Sequence, residues 1–110
     1  MTEPLGETMR KRFEERLARL TDSGWNGGDI HILYDITGEE SGLWTVAIEG
    51  GKGVFRQGAP ENPDVIITAN SEHLRQMIEG KLNPLTAQVQ GKIRIKGNTP
   101  LLLKLRQVLA

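Results

Sequence analysis

The N-terminal part of the chain carries apolar residues at intervals of three and four positions. These residues are Leu5, Met9, Phe13, Leu17 and Leu20, and charged residues fill the positions between them. The spacing puts all five on one face of an α-helix, which predicts an amphipathic helix packed on a second layer. The glycine-rich residues 24–28 predict the end of this helix.

Strict alternation then predicts a β-hairpin. The apolar members of the two strands are Ile30, Ile32, Tyr34 and Ile36, followed by Trp44, Val46 and Ile48 after a turn at 38–42. A period of two puts these side chains on one face of a sheet, where they can meet the core. A second turn at Gly50-Gly51 leads to a short third strand around Val54-Phe55.

The second half of the chain mixes short strands with short helices. Residues 64–69 form an apolar run that predicts a fourth strand buried on both faces. Two brief helices begin at Asn70 or Ser71 and at Asn83-Pro84, and residues 92–96 alternate as a half-exposed fifth strand. The order predicts an α+β fold, with about four to five helices on one face of a five-stranded, mainly antiparallel sheet. We expect residues 1–110 to form a single domain.

The closing helix is unusually rich in leucine. Leu101, Leu102 and Leu105 fall on one arc of a helical projection, whereas Leu103 falls on the opposite side. The arc predicts a face packed on the rest of the protein. Leu103 is either an isolated exposed leucine or part of a lid, a dimer contact or a membrane-facing surface.

Composition and spacing argue against catalysis. The 110 residues include no cysteine, which excludes disulfides, thiolate nucleophiles and iron–sulfur clusters. His31 and His73 lack the spacing of metal ligands, and we expect both to be ordinary polar residues. No glycine-rich phosphate loop or nucleophile elbow is present, so we predict no catalytic residue, metal or cofactor. The N-terminal residues show no secretory signal, and we expect a cytoplasmic protein.

The net charge of zero hides an asymmetry. Residues 81–110 contain six basic residues and no acidic one. Nucleic-acid binding is disfavoured, because all five aromatic residues precede residue 56 and none is left to stack on bases. Two interpretations stay open: the bases are solvated faces of strands and helices, or they meet phosphates or make transient contact with an anionic membrane.

Two motifs carry the most specific information. Residues 80–84 read G-K-L-N-P, and residues 90–98 read Q-G-K-I-R-I-K-G-N, between the acidic start of the fourth strand and the closing helix. This arrangement closely resembles the sterol carrier protein type 2 family, also called the non-specific lipid-transfer proteins. The resemblance is strong over residues 63–109, and the preceding elements agree with it in order.

The resemblance implies a hydrophobic tunnel between the helices and the sheet. Family members hold a fatty acid, fatty acyl-CoA, sterol or other lipid there without catalysis. An alternative function is an accessory module that presents a lipid, such as a quinone precursor or an acyl chain, to a partner enzyme. The expected lining residues are Leu74, Met77, Ile78, Leu82, Leu85, Val89, Leu101, Leu102 and Leu105, with Gln90 at a polar end.

One departure bears on the ligand. The family often has two aromatic residues immediately before the glutamine, and this chain has Gln88 and Val89 there. The departure favours a flexible chain or an isoprenoid over a sterol.

Overall fold

The computed structural model describes residues 3–98 and 100–101. The described elements are, in chain order, α1 Leu5–Asp22, β1 Ile30–Thr37, β2 Gly42–Glu49, β3 Lys52–Gln57, β4 Val65–Asn70, α2 Ser71–Ile78, α3 Pro84–Val89 and β5 Ile93–Gly97. This order confirms the predicted α+β class. The described residues contain three complete helices rather than four or five, and most of the predicted closing helix lies outside the described residues.

The five strands form one mixed sheet in the order β3-β2-β1-β4-β5. The pairs β1–β2, β2–β3 and β4–β5 are antiparallel, which matches the expected main orientation. The pair β1–β4 is parallel, with Ile32 opposite Val65 and Tyr34 opposite Ile67. The chain forms the β2–β3 hairpin before it reaches β4. Strand β4 then pairs with the edge of β1 that β2 leaves free, and it runs in the same direction as β1.

The first helix buries its predicted stripe against the sheet. Leu5, Met9, Phe13 and Leu17 are each at most 2% exposed. The ring of Phe13 lies 5.3 Å from that of Tyr34 and 6.1 Å from that of Phe55, between centroids. The four-residue spacing thus places one aromatic side chain over the middle of three neighbouring strands.

The described helices pack on one face of the sheet and leave the other face more exposed. In β4, Val65 and Ile67 are buried on the helix side, while Ile66 on the other side is only half-buried. The prediction that this strand is buried on both faces is therefore wrong, because the described helices cover one face. On the other face, Thr45 is buried where its hydroxyl donates to the carbonyl of Gly58 at 2.8 Å.

A carboxylate joins the helices to the β1–β2 turn. Oε1 of Glu40 accepts a hydrogen bond from the amide of Leu5 at 2.7 Å, and Oε2 accepts one from Arg75 at 2.8 Å. The hydrogen bond from Arg75 is the main cause that lowers the pKa of Glu40. The beginning of α1 and the middle of α2 are thereby both hydrogen-bonded to the side chain of Glu40.

The two motifs contain a helix cap and one close approach between backbone segments. Asn83 caps α3, with Oδ1 accepting from the amides of Leu85 at 2.8 Å and Thr86 at 3.3 Å. Gly97 has a φ of 106°, and a Cβ there would lie 2.3 Å from the carbonyl oxygen of Asp64. Only glycine fits at this position. The neighbouring amide of Asn98 donates to the same oxygen at 2.9 Å.

Candidate functional site

The apolar face of α2 lies in the interior between helices and sheet. Leu74 and Ile78, four residues apart, are 1% and 5% exposed. Met77 is partly buried and packs against the same core. Asn70 starts this helix by accepting a hydrogen bond from the amide of Glu72 at 2.8 Å. The structure thus turns these three expected lining residues of α2 towards the interior, and their contact with a ligand stays a prediction.

The turn after α2 returns one more apolar side chain to the core. The amides of Lys81 and Leu82 both donate to the carbonyl of Gln76, at 2.8 Å and 3.2 Å. These bonds fold the chain back over the end of the helix. Leu82 is partly buried and packs against the core cluster beside α2.

The third helix has a different orientation. Ala87 is fully buried, and Leu85 and Val89 are 71% and 81% exposed. Residues four apart on a helix share a face, so the two large side chains form one apolar surface open to solvent. Gln90 caps the end of the helix and is also exposed. The structure therefore does not bring Leu85, Val89 and Gln90 together with Leu74 and Ile78.

The last group of predicted residues is only partly described. Leu101 is partly buried and packs against the core. Leu102 and Leu105 lie outside the described residues, as does Leu103. The ten predicted binding residues thus fall into three groups: an interior set, an exposed set, and Leu102 and Leu105, which lie outside the described residues.

The surface clefts lined by described residues include three that none of the ten predicted binding residues borders. One cleft, of about 240 Å³, lies where β1 and β4 end and β5 begins. Its polar lining consists of Thr37, Thr68, Asn70, His73, Lys92 and Arg94. Sequence reasoning missed this cleft, because its residues come from four separate segments and no short motif joins them.

His73 also differs from its expected state. It lies in the first turn of α2, and its Nδ1 is buried without a hydrogen-bond partner in the described part of the chain. An ordinary solvated histidine was expected there. The sequence shows only that His73 lies three residues after the helix cap, and this position does not report whether the ring is buried.

A second polar cluster lies on the face of the sheet away from the helices. His31 Nε2 is 2.7 Å from Glu49 Oε2, and Arg56 donates to both oxygens of Glu49 at 3.0 Å and 3.1 Å. The hydrogen bonds from Arg56 and then from His31 lower the pKa of Glu49 to about 2. The carboxylate of Asp64 accepts from the backbone amide of His31 at 2.8 Å. This cluster joins β1, β2 and β3 and anchors the start of β4.

Neither cluster has the composition of a metal centre. Within residues 3–98 and 100–101, no group of three or more histidine, aspartate or glutamate side chains is arranged to hold a metal ion. No helix in the same stretch has the length and apolar character needed to cross a bilayer.

An α+β domain with helices on one face of a β3-β2-β1-β4-β5 sheet, and with the two motifs at its helix ends, defines a recognisable class of protein. The model of the SCP-2 sterol transfer family matches residues 11–110. The chain belongs to this family, which confirms the resemblance predicted from the motifs.

Two curated relatives illustrate the range of proteins that contain this domain. The chain is 39% identical over 77 residues to hydroxysteroid dehydrogenase-like protein 2 of Xenopus tropicalis, which covers 69% of the chain and 18% of that protein. It is 35% identical over 102 residues to sterol carrier protein 2 of Bos taurus, covering 87% of the chain and 19% of that protein. The chain therefore spans about a fifth of the length of these relatives.

A solved structure matches almost the whole chain. Palmitated SCP2L2 from Aedes aegypti is 26% identical, with a TM-score of 0.75, and the match covers 94% of this chain and 92% of that one. The likeness extends across the sheet and the described helices.

Proposed function

We propose that this protein binds a lipid with a long apolar chain and carries it, without catalysing a reaction on it. The observation that supports the proposal most directly is the whole-chain likeness to SCP2L2 in its palmitated form. Membership of the SCP-2 sterol transfer family agrees with it. The proposed ligand is a fatty acid, a fatty acyl-CoA or an isoprenoid before a sterol, because Gln88 and Val89 replace bulky aromatic side chains next to Gln90.

The proposed site uses the two helix surfaces in different ways. Leu74, Met77 and Ile78 provide an apolar interior wall on α2, together with Leu82 and Leu101. Leu85 and Val89 provide an apolar surface that water now covers. Burying a methylene contributes roughly 0.8 kcal/mol, so a twelve-carbon chain gains about 10 kcal/mol before the costs of association. Leu102, Leu105 and Gln90 complete the proposed lining.

The first experiment tests uptake of lipid. Lipid extracted from freshly purified protein is identified by mass spectrometry, and a fluorescent fatty acid is displaced by palmitate. We expect both a bound acyl or isoprenoid lipid and displacement. Protein that carries no lipid and gives no displacement contradicts the proposal.

A pair of variants tests the exposed surface of α3. The double variant Leu85→Ser with Val89→Ser removes the apolar surface, and we expect at least about tenfold weaker lipid binding, because two apolar contacts are lost. The matched control is Leu43→Ser on β2, which also removes an exposed leucine (41% exposed). Equal effects of the two replacements would mean that α3 is not part of the site.

The second candidate function is an accessory module that presents a lipid to an enzyme. It is favoured by the relative named hydroxysteroid dehydrogenase-like protein 2, of which the chain matches only 18%. An enzyme recovered in stoichiometric amount with the chain, together with no transfer of lipid between vesicles, supports this second function. Free transfer between vesicles supports the first.

The remaining aspects of the proposal concern the setting of the domain. Residues 1–110 are proposed to act as one lipid-binding domain in the cytoplasm. Exchange of lipid with an anionic membrane is proposed to involve the basic residues of the C-terminal third, among which Lys92, Arg94 and Lys96 flank or belong to β5. No cofactor, metal or nucleic acid takes part in the proposed function.

A further inference from the structure

The cleft at the ends of β1 and β4 differs from the other two clefts in its charge. It is bordered by Lys92 and Arg94, and none of its described lining residues carries a carboxylate. The cleft beside α1 includes Glu14 and Asp22. The cleft on the other side of the sheet includes Glu49 and Glu61. Of these three clefts, the one at the β4 end is therefore the cationic one, and we call it the basic cleft.

The positive charges of the basic cleft are not neutralised by neighbouring acids. Residues 80–98 contain no aspartate or glutamate. In the described part of the chain, no carboxylate forms an ion pair with Lys92 or Arg94. Glu72, the acidic residue of the first turn of α2, is exposed and does not border the cleft. The two cations are thus free to pair with an anion from solution.

His73 provides an independent observation at the same place. Its Nδ1 is the buried side-chain polar atom that has no hydrogen-bond partner among the described residues. Buried polar atoms are almost always paired in native proteins, and an unpaired one calls for an explanation. A ligand oxygen in the cleft that His73 borders would supply the missing partner.

Further donors surround the same volume. The oxygen of the Asn70 side chain is committed to the amide of Glu72, which leaves the NH₂ group of that side chain as a donor. Thr68 adds a hydroxyl group on the β4 side. The hydroxyl of Thr37 also borders the cleft, but it donates to the carbonyl of Ala69 at 3.5 Å. The first turn of the eight-residue helix α2 adds the partial positive charge of a helix N-terminus.

We infer that the basic cleft binds a phosphate group. A carboxylate offers two oxygens in one plane, whereas a phosphate offers oxygens in several directions. The cleft's donors also come from several directions: β4, α2 and the start of β5. Arginine, lysine and imidazole donors give the strong charge-assisted hydrogen bonds that recognise phosphate. A volume of about 240 Å³ accommodates one such group.

The neighbouring apolar surface indicates what carries the phosphate. Val89 precedes Gly91 of the cleft by two residues, so their Cα atoms lie within about 7.6 Å. An amphiphile with a phosphate head and an apolar chain would contact the cleft and the Leu85–Val89 surface together. This assignment of the carrier rests on the proposed function. The phosphate site itself does not.

Titration with inorganic phosphate tests the site without any lipid. In ¹H–¹⁵N NMR spectra of the full chain, we expect phosphate to shift the amides of His73, Lys92 and Arg94 and the His73 ring signal. Sodium chloride at the same ionic strength should not do so. Phosphate that leaves these signals unchanged, or that shifts basic residues throughout the chain equally, overturns the inference.

Variants then test recognition of the amphiphile. Lys92→Gln with Arg94→Gln should weaken binding of dodecyl phosphate at least about tenfold, because two charge-assisted hydrogen bonds are lost. Lys52→Gln, at the opposite edge of the sheet, is the matched control and should bind as the unsubstituted protein does. His73→Gln should also weaken binding of the phosphate and leave binding of uncharged dodecanol unchanged. An equal loss in the Lys52 variant contradicts the inference.

Further binding experiments identify the source of the phosphate. They also test the phosphate site separately from the proposed function. Binding to vesicles of phosphatidylcholine with phosphatidic acid, and not to phosphatidylcholine alone, assigns the site to a membrane headgroup. Binding of dodecyl phosphate without vesicle binding assigns it to a free amphiphile. Failure of dodecanol and fatty acids to bind, while inorganic phosphate still shifts the cleft signals, contradicts the proposed lipid carrier and leaves the phosphate site standing.

Discussion

The half of the molecule built around α1 and the half built around α3 use their apolar side chains in opposite ways. On α1, Met9, Phe13 and Leu17 are buried on three strands. On α3, Ala87 is the buried side chain, and Leu85 and Val89 face solvent. The first arrangement gives stability. The second retains apolar surface at a cost, which makes sense when something other than the protein's own core covers that surface.

Packing distances support the same contrast. Around α1, Trp44 stacks on Phe55 at 5.2 Å and Phe13 lies between Tyr34 and Phe55. All five aromatic residues belong to the first 55 positions. The α3 half has no aromatic residue and carries the two bases of the basic cleft, which form no ion pair with a carboxylate within the described residues. The aromatic contacts are thus confined to one half, and the exposed apolar surface of α3 and the basic cleft lie in the other.

The largest expected effect is on the aromatic half. Phe13→Ala should lower the free energy of unfolding by about 3–5 kcal/mol, because it leaves a cavity between α1 and three strands. Leu85→Ala on α3 should change it by less than about 0.5 kcal/mol, since the side chain is 71% exposed. Urea unfolding measures both. Similar losses in the two variants would remove the contrast between the halves.

The next effect concerns backbone geometry at the edge of the α3 half. Gly97→Ala combines an unfavourable φ of 106° with a Cβ placed 2.3 Å from the Asp64 oxygen, so we expect a loss of at least about 2 kcal/mol. Gly58→Ala is the matched control, with a φ of 101° and no neighbour within 4 Å. It should cost only the conformational strain, about 1–2 kcal/mol. Thermal unfolding compares the two, and equal losses would mean that the close approach to Asp64 is relieved by a small backbone movement.

The smallest effect is a pH dependence in the His31–Glu49–Arg56 cluster. The pKa of Glu49 is about 2 in the folded protein, below its ordinary value, because Arg56 and His31 favour the ionised form. The ionised carboxylate therefore stabilises the fold above its unfolded-state pKa, and this contribution is lost as the pH falls from about 4.5 towards 2.

Glu49→Gln should consequently make stability less dependent on pH over that range. Urea unfolding at pH 5, 4, 3 and 2 measures the slope, with Glu39→Gln on the exposed β1–β2 turn as control. A variant that keeps the full acid sensitivity would assign the pH dependence to other carboxylates.

Local signals in the sequence predicted most of the fold. The three- and four-residue spacing located α1, strict alternation located β1 and β2, and Asn83-Pro84 marked the start of α3. These features depend on neighbours along the chain, which the sequence shows directly. The parallel pairing of β1 with β4 depends on which edge of β1 remains free, and no local pattern reports that.

The candidate site was harder to predict for the same reason. The family resemblance named Leu74 and Ile78 as lining residues, and both are buried. The same resemblance named Leu85 and Val89, but it could not report that no described element covers them. The basic cleft and the Glu49 cluster arise from register across strands, because His31 and Glu49 are 18 positions apart and meet only through the β1–β2 pairing. Such clusters become visible only when the strands are aligned.

The central position of β1 in the sheet has a consequence for folding during synthesis of the chain. During synthesis, β2 and β3 emerge before β4, since residues 38–64 separate the two strands that finally meet in parallel. For that interval one side of β1 exposes unpaired amide and carbonyl groups along an isoleucine-rich strand. Such an edge is a template for association with other chains. The nascent chain is thus most vulnerable to aggregation before residues 65–70 arrive to close the gap.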